Sequence, residues 1–396
     1  MRILMILGRC PVPPLKGDQV RAYHLVQELS RRGHDVVVLC LSPRKPPVRE
    51  IQKIAAEVRV VDTNVARQLI RALRAFVSGR PAQVGYVESR RMREAIVREV
   101  NAGTFDVALV QLSRMAQYVD LLATTKPVVV DLVDSLSLNA RLRAQLARGP
   151  ARWFWSRESQ RMMEIERHLT READSSILVS ARDAEFIGEQ DSRLCVVPNG
   201  VSLDSFRFAL EGRNEGELIF HGNMSYFANE DAARFLVREV LPEIWGQGRM
   251  VYTQIVGANP SRAVRALQND RVRVVGWVPE IGPYLRRATI GIFPLRVATG
   301  IQNKVLEAMA SGLPVVTTPV VASAIGAVDG VHVVIGASSS ELARGVIRLL
   351  DSAELRERIA LQARAFVEEN FTWAAAGERV ERILKEVCSA GPENYT

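Results

Sequence analysis

The chain has 396 residues, 47% hydrophobic and 24% charged, enough material for two folded domains of about 150 to 200 residues each. No run of about 18 apolar residues occurs, which excludes a membrane-spanning helix, and the four cysteines have neither metal-ligand spacing nor the density of a small secreted domain. The net charge of +8 is uneven: residues 1–200 hold 31 Lys and Arg against 22 Asp and Glu, whereas residues 201–396 hold 21 against 22. A basic first half suits an anionic partner, but a 6% aromatic content and the lack of zinc-finger or RNP-like motifs speak against nucleic acid.

Met1–Leu7 is too short for a secretory apolar region and runs at once into Gly8 and three prolines, so Arg2–Leu7 reads as a first buried strand and the protein is expected in the cytoplasm. A Pro/Gly loop reaches Asp18, Gln19–Arg32 reads as a helix closed by Gly33, and Asp35–Leu41 reads as the next strand, making a βαβ unit. Apolar runs at Val58–Val61, Val107–Leu109, Val128–Leu132 and Ser176–Val179 predict further parallel strands buried on both faces. Arg193–Val201 ends a strand with a Pro-Asn-Gly turn. After a polar stretch the alternation restarts. Strands are predicted at Glu217–His221, Met250–Val256, Val272–Val275, Ile290–Phe293, Pro314–Thr317 and Val331–Ile335, with a helix over Asn229–Leu241 and a last one near Trp373–Val387. This predicts an α/β protein of two doubly wound parallel-sheet halves, with ligands beyond the carboxyl ends of the strands.

The most informative segment is Ala298–Thr318. A Gly-led loop runs into a short helix carrying Lys304 and Glu307, and a Gly312-Leu-Pro314 turn delivers a β-branched strand. The two charges, three residues apart, share a helix face near the positive end of the helix dipole. Backbone N–H groups and a lysine suit phosphate oxygens, and a carboxylate suits ribose hydroxyls. Lys304 is also the only lysine between Lys126 and Lys385 in an arginine-rich chain. As an ordinary alternative, both would be solvated helix residues.

This segment resembles the donor-binding signature of retaining, nucleotide-sugar-dependent GT-B glycosyltransferases of family 4, in particular exopolysaccharide-associated members. Their pattern has two glutamates, then Ala-Met-Ala, a small residue, Gly and Pro-Val-Val. Glu307 matches the second glutamate and Thr299 stands where the first is expected. The resemblance implies an acceptor-side Rossmann-like domain over 1–198, a nucleotide-sugar domain over 199–372, a cleft between them, and a C-terminal helix, 373–396, packed on the first domain. It implies donor contacts from Gly17, Gly222, Asn223, Gly276, Val278, Thr299, Gly300, Ile301, Gln302 and Glu307, with Lys304 and Arg296 stabilising the leaving diphosphate. Asp134, after Asp131 at the end of a first-half strand, is the candidate to orient or deprotonate the acceptor hydroxyl; either could instead cap a helix.

Around Gly17, Lys16 and Arg21 could add charge, with Asp18 as a helix cap the plain alternative. Relatives carry a basic pair just after the Gly222 loop, but here no basic residue follows until Arg234. Trp277, between Gly276 and Val278, could be a core residue. The five histidines have no metal-binding spacing, and no metal is expected; the donor, UDP- or GDP-linked, enters as substrate. Expected partners are that donor and a saccharide or lipid-linked acceptor, with retention of configuration and a role in polysaccharide or glycolipid synthesis.

Ala66–Val77 sets Arg67, Arg71 and Arg74 against Leu69, Ile70, Leu73, Phe76 and Val77. Its apolar stripe is expected to pack on the sheet, although this basic helix, with Trp153 to Trp155 in the arginine-rich Arg141–Arg157 stretch, could instead lie on an anionic membrane at its inner face. Two rivals use the same residues: a nucleotide-sugar 2-epimerase of the same fold, and a non-catalytic nucleotide-sugar-binding protein. A basic nucleic-acid binder is a more distant third.

Overall fold

The computed structural model describes residues 1–43, 48–123, 125–188 and 193–390. The chain divides into two compact units, Met1–Asn199 with Trp373–Thr396, and Gly200–Thr372. Residues 391–396 of the expected C-terminal segment lie outside the described residues.

The first unit is built on strands β1 (Arg2–Leu7), β2 (Asp35–Ser42), β3 (Glu57–Asp62), β4 (Val107–Gln111), β5 (Val128–Val133), β6 (Ser175–Leu178) and β7 (Leu194–Val196). They form one parallel sheet in the order β3-β2-β1-β4-β5-β6-β7. Alternate side chains of β1 feed opposite faces, as the period of two demands. Ile3, Met5 and Leu7 pack with Leu25 and Leu29 of the Gly17–Arg31 helix and with Val380 and Leu384 of the Trp373–Ser389 helix. Leu4 and Ile6 pack on the other face with Met92, Ile96, Met115 and Leu169. Each such buried side chain contributes about 1.5–3 kcal/mol, so a six-residue strand with five fully covered residues anchors both layers. The terminal helix is tied to the first in polar terms too: Glu381 accepts from Arg32 at 3.1 Å and lies 3.0 Å from His34.

The second unit repeats the logic with β8 (Glu217–His221), β9 (Tyr252–Val256), β10 (Val272–Gly276), β11 (Ile290–Phe293), β12 (Val315–Thr317) and β13 (Val334–Ile335), again all parallel, in the order β10-β9-β8-β11-β12-β13. The boundaries expected for β1, β8 and β11 are those observed. β13 is shorter than expected because Val331 and His332 lie in the turn before it.

One expectation fails. The leucine stripe of the Val65–Val77 helix does not pack on the sheet: Leu69, Ile70, Leu73 and Val77 are 53–79% exposed, while Gln68 and Ala75 are buried. The packing partner is a second helix, Ala82–Val87, whose Gly85 lies so close that an added Cβ would stand 2.4 Å from Ala75 Cβ. Small residues permit that approach, and they turn the large apolar ones outward.

Candidate active site

In each open sheet the strand order reverses direction at one point, and loops leaving the carboxyl ends of the strands there diverge to leave a crevice. That point lies between β1 and β4 in the first unit and between β8 and β11 in the second.

In the second unit β8 ends in His221, and Gly222 follows it. Gly222 has φ +147°, and a Cβ there would meet Asn229 Nδ2 at 2.8 Å and Lys304 Cδ at 3.4 Å, so only glycine lets the loop pass. Gly257, after β9, lies closer still: its Cβ would fall 1.8 Å from Gly222 O. Asn229 Nδ2 donates to Asn223 O at 2.9 Å and fixes the loop from behind.

From β11 the chain passes Arg296, Thr299, Gly300, Ile301 and Gln302 before entering the Asn303–Ala310 helix, whose N-terminus has no side-chain cap. Gly300 takes the left-handed conformation, φ +56°. Gln302 is buried; its Nε2 donates to Thr299 O at 2.9 Å, and its Oε1 accepts from Lys304 Nζ at 2.7 Å. His221 is buried beneath the same helix, with Nε2 3.1 Å from Lys304 O and Nδ1 3.9 Å from Glu307 Oε2. Burial, then the Lys304 charge, pushes His221 down to about 3, so it is neutral and donates from Nε2 to the Lys304 carbonyl.

The pair itself is held away from its ordinary charge states. Burial lowers Lys304 to about 8, with Glu307 opposing, and burial raises Glu307 to about 7, with Lys304 opposing. The ammonium has one hydrogen-bond partner in Gln302, and no donor reaches the Glu307 carboxylate among the described residues. Such desolvated, under-partnered charges are what an anionic, hydroxyl-bearing ligand satisfies.

Arg296 is placed differently from Lys304. It grips Asp231 through Nε, 3.0 Å, and Nη2, and stacks over Phe235 at 4.9 Å, so its guanidinium is committed to a bidentate ion pair. Trp277 is 66% exposed and is not a core residue. It follows Gly276, φ +83°, and precedes the half-buried Val278. Gly276 O accepts from Gly257 N at 2.7 Å, which links the ends of β9 and β10.

Gly17 and Asp134 belong to the first unit. Gly17 opens its helix with free space where a Cβ would be. Asp18 is not the cap; it lies in the first turn and binds Arg9 at 2.8 Å and Arg114 at 3.5 Å. Lys16 is the residue before the helix, and Arg9, more than burial, lowers its pKa. Asp134 follows Val133, a β-branched residue at φ +66°, and Leu112 at the end of neighbouring β4 has φ +76°. Backbone held in that region costs of order 1–3 kcal/mol and concentrates at functional sites. Asp134 is near enough to Arg114 to support that guanidinium's charge against burial.

Arg21 and Asp131 do not take the roles expected of them. Arg21 is fully buried and Asp131 1% exposed; they pair at 2.8 Å, and Arg21 Nη1 also donates to Val197 O and Asn199 Oδ1. They tie the first helix, β5 and the end of β7 together. Sequence reading missed Arg114, His221 and Glu166. Glu166 is buried and accepts from the Ser113, Ser135 and Ser137 hydroxyls and from Leu136 N. Burial raises it to about 7 against those hydrogen bonds.

Two all-parallel doubly wound units in one chain, with a lysine-glutamate helix following the switch strand of the second, are the arrangement of the GT-B fold. Solved glycosyltransferases of that fold superpose on it over its whole length. Sucrose-phosphate synthase of Thermosynechococcus elongatus covers 99% of this chain and 100% of its own at TM-score 0.74 and 16% identity. Anabaena HepE, solved with UDP, covers 98% and 100% at TM-score 0.69 and 16% identity. In sequence, a family described as Glycosyltransferase Family 4 matches residues 16–205, and one described as Glycosyl transferases group 1 matches residues 215–352. Glycogen synthase of Mycobacterium tuberculosis is 26% identical over 409 aligned positions, 97% of this chain and 94% of that protein. The chain belongs to the GT-B glycosyltransferases of family-4-like type, and it is an enzyme of that class.

Proposed function

We propose that this glycosyltransferase takes its sugar from a uridine or guanosine diphosphate donor held by the second unit, and passes it with retention to a saccharide or lipid-linked hydroxyl in polysaccharide or glycolipid synthesis. The observation that carries the reading is the Lys304–Glu307 pair on an uncapped helix, beside a Gly222 backbone that tolerates no side chain. In this reading Lys304 Nζ and the helix N-terminus meet the diphosphate, and Glu307 accepts from ribose hydroxyls. Gly222, Asn223 and the Thr299–Gln302 backbone line the phosphate and sugar, and the Gly276–Val278 backbone reads the base. Anabaena HepE, of the same fold, was solved with UDP and with UDP-glucose, which supports a uridine nucleotide.

The bond from sugar C1 to the diphosphate oxygen breaks with its electron pair on that oxygen, where Lys304 and the helix dipole offset the new charge. The acceptor oxygen bonds to C1 and passes its proton to the departing diphosphate oxygen, with Asp134 our candidate for orienting that hydroxyl. The charge on the leaving group is met here by side chain and backbone, so transfer should persist in chelator. Calorimetric titration with UDP, GDP and ADP in EDTA tests the reading. One nucleotide should bind, and Lys304→Ala and Glu307→Ala should each weaken it at least tenfold. Absence of binding by the wild type would overturn the proposal.

A further inference from the structure

The outward leucine stripe needs an explanation that transfer chemistry does not supply. The Val65–Val77 helix is capped by Asn64, which accepts from Arg67 N at 3.2 Å, and it is locked in rotation by the Ala75–Gly85 approach and by Arg71, which donates to Glu88 O. With its small and polar side inward, Leu69, Ile70, Leu73 and Val77 form a continuous exposed strip. The strip extends onto a second helix, Gly149–Glu172. Trp153, 59% exposed, meets Phe76 edge-on at 5.7 Å, and Phe154 lies 4.7 Å from the same ring. Arg161 fixes the junction, stacking over Phe76 at 4.6 Å and donating to Phe76 O at 2.8 Å.

The charged residues on the strip's own helix have one sign. Exposed Arg67 and Arg74 border it on its own helix, which contains no acidic residue. Beside Trp153, residues 135–157 carry five arginines and no acidic residue. A second copy of the chain docked about a two-fold axis would set these arginines against one another, which disfavours self-association. An anionic surface satisfies the apolar strip and the arginines together, with a tryptophan at headgroup depth.

We propose that this face of the first unit is a docking surface for an anionic lipid bilayer, with the Val65–Val77 helix lying in the plane of the interface. The inference does not depend on the donor assignment, because the strip holds none of the residues given to nucleotide or acceptor.

Co-sedimentation of the full chain with phosphatidylcholine vesicles, with and without phosphatidylglycerol, tests it. The wild type should pellet with the anionic vesicles and remain in solution with the neutral ones. Leu69→Ser with Leu73→Ser should lose at least about tenfold in partitioning, and Arg67→Ala and Arg74→Ala about fivefold each, a difference that added salt should erase. These side chains are exposed, so circular dichroism melts should match the wild type. Failure to pellet, or equal pelleting of the leucine variant, would overturn the proposal. So would a wild-type dimer in light scattering that the leucine substitutions dissociate without any vesicle binding, which would give the face to a second copy.

Discussion

The two units bury charge to opposite ends. In the first, Glu166 is surrounded by donors, three serine hydroxyls and two backbone N–H groups, and Arg21 commits Nε to Asp131 and Nη1 to Val197 O and Asn199. In the second, Lys304 has Gln302 and Glu307 has only a histidine nitrogen beyond hydrogen-bond reach. A buried charge met by fixed donors holds elements together, whereas one left under-partnered reserves its interaction energy for a ligand. The difference, together with the full burial of Glu166 and Arg21 against the partial exposure of Lys304 and Glu307, separates scaffold from candidate site.

The largest expected effect lies in the scaffold. Glu166→Ala strands buried donors around Ser135 and Ser137, a loss of about 3 kcal/mol or more, and should lower the thermal midpoint by roughly 6–12 °C. Nucleotide affinity of the protein that remains folded should be unchanged; a selective loss of affinity would mean that Glu166 serves the site instead.

Next, Lys304→Met should reduce kcat by about 10²–10³-fold while leaving the melting temperature level or raised, since an under-partnered, partly buried charge is removed. A melt lowered in step with activity would break the contrast between the units.

Glu307→Gln should weaken nucleotide binding by roughly tenfold or more, the loss of a charged acceptor. It also sharpens the pH argument. Glu307 must be ionised to accept from ribose, which favours binding as pH rises through about 7, and Lys304 must be protonated, which disfavours binding as pH rises through about 8. Wild-type affinity should therefore peak between these values, and the Gln variant should keep only the alkaline fall. A flat titration curve from pH 6 to 9 for the wild type would remove both groups from the ligand.

The smallest effect is expected at Arg296. Its ion pair with Asp231 is half exposed, so Arg296→Ala should change turnover by no more than about threefold. A fall of tenfold or more would put the guanidinium on the diphosphate.

Much of this architecture is written in local pattern. β1, β8 and β11 have the limits that their apolar runs mark, because a strand buried on both faces has little freedom in where polar residues can begin. The Lys304–Glu307 pair was legible because a spacing of three on a helix fixes mutual position without any tertiary information. Thr299, Gly300, Ile301 and Gln302 follow from their place in the same loop.

Other features needed contacts across long stretches of chain. Asp131 is at a strand end, where Asp134 also lies, and only its pairing with Arg21, 110 residues away, assigns it to the scaffold. His221 enters the site through a carbonyl 83 residues away, and Glu166 through serines up to 53 away. The leucine stripe is the plainest case. Periodicity established that the Val65–Val77 helix has two unlike faces, and the close approach of Gly85 to Ala75 decided which one meets the protein. Local pattern thus fixes the elements, the doubly wound class and the helix that carries Lys304 and Glu307, since each rests on residues within a turn or a strand. Tertiary packing alone decided which charges are spent and which face is left to solvent, because those depend on what the rest of the chain brings alongside.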